Sequence, residues 1–451
     1  MKTPIYDFVR KYAESGISRF HMPGHKGRSF LGCEELDITE IGGADVLYSA
    51  DGIINESENN SASLFGSAHT FYSTEGSSLV IKAMLALVTK GFNGGKGGTD
   101  VKPCILAGRN AHKAFLYACA LLDIDVKWLY PKANEHLCSC TISPADVENG
   151  LSSGDFCAVY ITSPDYLGNL ADIESIAKVC KAKKAPLIVD NAHGAYLNFL
   201  SPSLHPIALG ADMCCDSAHK TLPVLTGGAY LHISPLADKK YVSGARQALS
   251  LFASTSPSYL IMQSLDLCNR YLSEGYSDKL LNCIEKINAL KVSFTQKGFA
   301  LEPSEPLKIT VNAAKSGYTG EAFAEALRQY KIECEFADDT FLVLMLSPEN
   351  REIDFERLKK AFSEIMPKPP LKQNTNNFIL ENNEKVISIR QAIFAECENI
   401  SVDNSVGRIC GTPTVSCPPA IPIVVSGERI TENAVVLFKR YGIDEISVVV
   451  E

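Results

Sequence analysis

The chain has 451 residues, 46% of them hydrophobic, and a formal net charge of -9. That length and apolar content support a large buried core divided among two or three domains. The acidic balance, with no long run of Lys or Arg, excludes nucleic acid as the main partner. No apolar stretch reaches the roughly 20 residues a membrane span needs, and the opening MKTPIYDFVRKYAESG lacks the apolar core of a signal peptide. A cytoplasmic protein without a membrane partner is expected. The fifteen cysteines are odd in number and scattered through apolar runs, so they read as reduced core residues rather than disulfides. Cys138 and Cys140, or the adjacent Cys214 and Cys215, would bind metal only with ligands from elsewhere; no paired CxxC supports that, and no metal is expected.

After an N-terminal segment of about 60 residues, short Val/Ile/Leu-rich runs alternate with stretches of helical period. SSLVIKAMLALVTK reads as a helix. GFNGGKGGTD imitates a phosphate-binding loop but lacks the Gly-Lys-Ser/Thr ending and follows no strand, so it reads as a flexible turn. Then come strand CILAGR, helix HKAFLYACALL, strands DVKWLY and FCAVYIT, helix ADIESIAKVCKAKKA, and strands PLIVDNA and MCCDSA. Such alternation implies an α/β domain with a mostly parallel sheet covered on both faces, and ligands beyond the carboxyl ends of its strands. SLDLCNRYLSEGYSDKLLNCIEKINALKVSF reads as one or two long helices, closing a large domain over 61–298. LKITVNAA, the helix EAFAEALRQY and TFLVLMLSP open a smaller α+β domain over 299–451, within which PKPPLKQNTNNFILENNEK reads as an exposed connector.

Three stretches carry chemistry. In TFYSTEGSSLVIKAML, Gly76, Ser77 and Ser78 stand at the start of an apolar helix, where free backbone N–H groups and hydroxyls suit an anion. The helix dipole contributes only about 0.3–1 kcal/mol there, so affinity would come from the hydrogen bonds; ordinary N-capping is the alternative. In PLIVDNAHGAY a strand ends in Asp190, whose carboxylate could hold a proton on a heterocyclic nitrogen or merely cap a turn. In DSAHKTLP a lysine, Lys220, follows a strand end beside Ser217 and His219. Lost solvation and a nearby imidazole lower such a lysine's pKa and make it nucleophilic toward carbonyl carbon. A phosphate-cradling helix start, a strand-end Asp and a strand-end Lys, in that order, describe a pyridoxal phosphate site.

The chain resembles the ornithine/lysine/arginine decarboxylases of the aspartate-aminotransferase-like fold (fold type I). The resemblance rests on RFHMPGHKG, DITEIGGADVL, STEGSS, GRNAHKAF, ITSPDYLGNLADI, VDNAHGAY, DSAHKTLPVLTGGAYLH and TSPSYLIMQSLD, and continues through GYTGEAF, VGRICG and CPPAIPIVVSGE. It implies a large domain with a mostly parallel seven-stranded sheet and a smaller C-terminal α+β domain. By the same resemblance Lys220 binds the cofactor covalently and Asp190 partners its pyridine nitrogen, while Ser77, Ser78, Ser217 and His219 hold the phosphate. His112 matches the imidazole that stacks on the cofactor ring, a helix cap being its alternative, and His193 lies near the cofactor without a fixed role. The resemblance further implies a homodimer whose N-terminal segment, residues 1–60, contributes to the active site. Because the chain begins almost directly at FHMPGHKG, the compact bacterial type without an N-terminal wing domain is expected.

The implied reaction is decarboxylation of lysine, arginine or ornithine, serving polyamine synthesis or acid consumption. Transamination or elimination on the same scaffold, or a non-catalytic homologue, are the alternatives. A basic substrate needs acids at the far end of the pocket, for which Glu40, Asp45 and Asp165 are candidates. Departures from the family pattern fall on the substrate side: Asn191 and Tyr196 replace an acid and a second histidine, Val46 stands where a second acid is common, and CPPAIP, with Cys417, replaces Tyr-Pro-Pro-Gly-Ile-Pro.

Overall fold

Apolar runs that lack polar alternation become strands buried on both faces. In the computed structural model, which describes residues 1–92, 102–131, 137–372, 380, 382–413 and 421–450, these runs form a seven-stranded sheet. Its strands are β1 (His69–Ser73), β2 (Cys104–Gly108), β3 (Asp125–Leu129), β4 (Ala158–Thr162), β5 (Leu187–Asp190), β6 (Met213–Asp216) and β7 (Ala229–Ile233). The order is β1-β7-β6-β5-β4-β2-β3. Strands β3, β2, β4, β5 and β6 pair in parallel, whereas β7 runs antiparallel to both its neighbours. The five expected strands all appear; β1 and β7 do not stand out as runs because HTFYS and AYLHI interleave polar residues with apolar ones.

Alternation along each strand divides the core into two layers. Ile188, Met213 and Cys215 face helices α1 (Gly76–Thr89) and α2 (Lys113–Leu122), while Leu187, Val189 and Cys214 face the opposite layer with the helix Ile173–Ala182. Strand parity therefore sends the final carboxylates of β5 and β6 to different places. Asp190 shares the side of Ile188, whereas Asp216 shares the side of Cys214 and meets His205 and His232 there.

Two long helices, Tyr259–Ser273 and Tyr276–Gln296, follow, as the sequence predicts. Beyond them lies a four-stranded antiparallel sheet of β8 (Leu301–Glu302), β9 (Lys308–Asn312), β10 (Phe336–Ala337) and β11 (Phe341–Met345). It packs with the long helices and the N-terminal helix Pro4–Glu14 in one apolar cluster. A separate two-stranded sheet, β12 (Cys397–Ser401) with β13 (Glu445–Val449), packs with the helix Glu432–Arg440 in the cluster containing Val159 and Val189. Most of the expected glycine-rich turn and part of the polar connector fall in 93–101, 373–379 and 381, outside the described residues, as does Cys417. No described helix is long and apolar enough to cross a membrane. The described cysteines are all free, and most are buried.

Candidate active site

The carboxyl ends of the parallel strands converge on a cavity of about 330 Å³. The turn after β1 delivers Gly76, Ser77 and Ser78; the end of β2 delivers Asn110 and His112. From β4 come Thr162, Pro164, Asp165 and Tyr166, from β5 come Asp190 and His193, and from β6 come Ser217, His219 and Lys220. All nine residues expected at the site thus line one cavity, although they run from position 76 to position 220 of the chain.

Lys220 Nζ lies 3.0 Å from His193 Nε2. Burial pulls the Lys220 pKa down, with Lys308 acting in the same direction and Asp190 opposing. The His193 imidazole is held well below its usual range by burial and by Lys308 and Lys220, which favours a neutral ring able to accept from the ammonium. Its other nitrogen, Nδ1, is buried without a hydrogen-bond partner among the described residues.

The Asp190 carboxylate is 3% exposed and fixed from behind: Tyr160 Oη donates to one oxygen at 2.9 Å, while Cys215 Sγ (3.4 Å) and Ala192 N (3.2 Å) donate to the other. An ionised carboxylate so oriented is suited to a charge-assisted bond with a protonated ring nitrogen.

At the anion end Ser217 Oγ donates to Ser77 Oγ at 2.8 Å, bringing two hydroxyls together at the start of α1. His219 Nδ1 donates to the Gly228 carbonyl at 2.9 Å. Burial lowers the pKa of this imidazole. One expectation is corrected. The Gly76 N–H donates to the Gly227 carbonyl at 2.7 Å and so is no anion donor; Gly76 matters for its φ of 70°, which lets the turn enter the helix. The first-turn amides of Ser77 and Ser78, which have no intrahelical acceptor, remain for that role.

For His112 the helix-cap alternative is observed. It is the N-cap of α2, Nδ1 accepting from Ala114 N at 3.1 Å, and its ring also faces the cavity. Burial lowers its pKa despite the opposing Asp190 charge.

The candidate substrate acids separate cleanly. Asp45 accepts four backbone N–H groups, from Val46, Asp51, Gly52 and Ile54, and is a loop cap away from the cavity. Glu40 is exposed and also lies off the cavity. Asp165 lines it, 5% exposed, with burial raising its pKa against the hydrogen bonds from Asn169. Asn191 donates to Asp216 at 2.7 Å and Tyr196 to Glu305 at 2.7 Å; neither touches the cavity. The motifs do not single out Tyr166, whose ring meets His193 edge-on at 5.4 Å, nor Thr162, Asn110 and Thr226, which also line the cavity. The usable signal is the strand-end rule applied to FCAVYIT, which points to the loop after β4.

Among the described residues neither cysteine pair belongs to a cluster with metal-ligand spacing; the group that has it is His205, Asp216 and His232. Asp216 there accepts from both imidazoles, at 3.0 and 3.2 Å, and from Asn191; the charges and hydrogen bonds of His205 and His232 hold its carboxylate far below the usual range despite burial.

A seven-stranded sheet with an antiparallel β7, and a Lys–Asp–helix-start cavity at its strand ends, define a protein of the fold type I class. Solved structures agree: the chain matches the Escherichia coli constitutive lysine decarboxylase with a TM-score of 0.79 at 18% identity, over 100% of this chain and 82% of that one. The family model for the Orn/Lys/Arg decarboxylase major domain matches residues 3–324, and that for the C-terminal domain of the same family matches 372–441. The chain belongs to the Orn/Lys/Arg decarboxylase family. It is 29% identical to the Bacillus subtilis protein YaaO, over 98% of this chain and 94% of YaaO. It is also 29% identical to the arginine decarboxylase of Halalkalibacterium halodurans, over 96% of this chain and 92% of that enzyme.

Proposed function

We propose that the protein is a pyridoxal phosphate-dependent decarboxylase that converts a basic amino acid, arginine first among arginine, lysine and ornithine, into the amine and carbon dioxide. The observation that carries this reading is that Lys220, Asp190 and the Ser77–Ser217 hydroxyl pair line one cavity. The residues fit the cofactor: an amine with burial-lowered pKa, a fixed carboxylate, a helix start with free amides and an orphaned His193 nitrogen share one space. Bound there, pyridoxal phosphate supplies the electron sink for the pair left when a carboxylate departs.

The chain's own groups do the rest. Lys220 anchors the cofactor, Asp190 holds a proton at the ring nitrogen, and Ser77, Ser78, Ser217 and His219 hold the phosphate. His112 flanks the ring. Lys220 Nζ delivers the proton to carbon, and His193 Nε2, 3.0 Å away, shares it. Asp165 takes the distal cation of the substrate, and Tyr166 closes the wall against water.

A homodimer is part of this reading, supported by Phe20 and Leu31, 95% and 90% exposed, with Met22 and Phe30 in the same N-terminal segment. A cytoplasmic role in polyamine synthesis is the setting the amine product suits. The test is a panel of arginine, lysine and ornithine with release of carbon dioxide measured and each amine identified. Arginine should give agmatine fastest, and a panel with no carbon dioxide above background sinks the reading.

A further inference from the structure

Four consecutive carbonyls of the loop after β4 are held by one short segment of the second sheet. Lys308 Nζ donates to the carbonyls of Asp165 and Tyr166, both at 3.3 Å; Thr310 Oγ1 donates to that of Leu167 at 2.8 Å; Glu305 N donates to that of Gly168 at 2.8 Å. The approach is so close that a Cβ on Gly168 would lie 2.9 Å from Ser304 Cβ. Lys308 and Glu305 form an ion pair at 2.9 Å with both side chains 1% exposed, and Tyr196 Oη donates to the other Glu305 oxygen. A buried ion pair is weak as a source of stability, since apolar replacements of both partners are often neutral or better. Stability therefore does not explain an ammonium at this place. Its geometry does: the same nitrogen reaches the backbone of two cavity-lining residues, Asp165 and Tyr166, and Tyr166 in turn abuts His193, the partner of Lys220.

We propose that Lys308 is a positioning residue that sets substrate specificity. Its ammonium, seated by Glu305 and Tyr196, clamps the Asp165–Gly168 loop so that the Asp165 carboxylate stands at the distance of the substrate's distal cation. This deepens the decarboxylase reading and rests on it for the kinetics alone. It also accounts for Tyr196, a departure from the family pattern, which acts on the substrate end through Glu305 without touching the cavity.

The experiment compares Lys308→Met, the double variant Lys308→Met with Glu305→Gln, and Ile309→Ala, a core change on the opposite side of the same strand. Two readouts are taken on the holoenzyme, kinetics with the basic substrate and amide exchange of Gly168 and Asn169. Loss of hydrogen bonds from a charged group predicts a KM raised about tenfold or more in both Lys308 variants, with kcat changed about threefold or less. Exchange at Gly168 and Asn169 should speed up about tenfold as the loop opens locally. Charge removal in the double variant should restore thermal stability without restoring KM. Ile309→Ala should lower stability and leave KM and loop exchange alone. Unchanged KM and exchange in both Lys308 variants overturn the proposal, as does an equal KM rise in Ile309→Ala, which would make the effect one of stability. If Lys308→Met does not fold, Thr310→Val, which frees only the Leu167 carbonyl, must shift KM and exchange in the same direction or the clamp is wrong. A wild-type enzyme inactive on every basic amino acid would refute the decarboxylase reading, while the exchange arm would still decide the clamp.

Discussion

The two ends of the cavity are built differently. The cofactor end is made of residues within a few positions of a strand end or helix start: Ser77 and Ser78, Asp190 and His193, Ser217 to Lys220. Their directions follow from strand parity and from hydrogen bonds inside the large sheet layer, such as Tyr160 to Asp190. The far wall is instead a loop whose carbonyls are held from about 140 residues away by Glu305, Lys308 and Thr310. Local geometry places the residues proposed for the cofactor at one end, and long-range contacts hold the backbone of the wall proposed for the substrate at the other. The two can therefore vary independently, so a family can keep its reaction while its substrate changes.

Substitutions at the two ends should then fail in different ways. The largest effect is expected from Lys220→Ala: product formation falls to background, checked by carbon dioxide release, while circular dichroism shows the fold retained. Wild-type-like turnover in that variant would remove the site. Next, Asp190→Ala should retain cofactor by absorbance but lose roughly a thousandfold in kcat, about 4 kcal/mol at 1.36 kcal/mol per decade. An unaltered kcat would mean that another group holds the ring nitrogen. Asp165→Asn should raise KM for the basic substrate about 10- to 100-fold, the worth of a hydrogen bond to a charged partner, with kcat nearly kept. A drop in kcat with KM unchanged would erase the distinction between the ends.

The smallest effect belongs to the scaffold beneath both. Asp266 is fully buried and accepts from Ile5 N at 2.9 Å and Tyr6 N at 3.0 Å, tying down the N-terminal helix. Burial raises its pKa to about 6, against the opposing hydrogen bonds from Ser57, Tyr6 and Ile5. Because the folded form binds this proton more tightly than the unfolded chain, the associated stability is present near pH 4 and is lost as pH rises through about 6. The span is on the order of 3 kcal/mol at most. Asp266→Asn, whose amide can still serve Ser57 and the two backbone donors, should flatten that slope in denaturation midpoints across this window. Parallel profiles for wild type and variant would show that Asp266 is not the titrating group.

Much of the cofactor end is legible in the sequence because the carboxyl ends of parallel strands mark where ligands bind. PLIVD and MCCD end in carboxylates of opposite parity, and only the former faces the cavity. Nothing in the sequence ranks Asp190 above Asp216 apart from the family motif, since parity relative to the core appears only once the sheet is assembled. Gly76 reads as an anion donor because its pairing with Gly227 joins positions about 150 residues apart. Asp45 and Asp165 look alike as candidate acids. The four backbone donors of the N-terminal loop claim Asp45, whereas Asp165 lines the cavity and accepts from Asn169.

The order of strands, helices and chemical groups along the chain settled the architecture, because periodicity and strand-end placement are local properties of the sequence. Which buried acid faces the cavity, which amide is already paired, and which lysine holds the far wall were decided by contacts between segments far apart in the chain. Those contacts depend on side-chain direction after the layers have packed, and no local pattern of residues encodes them.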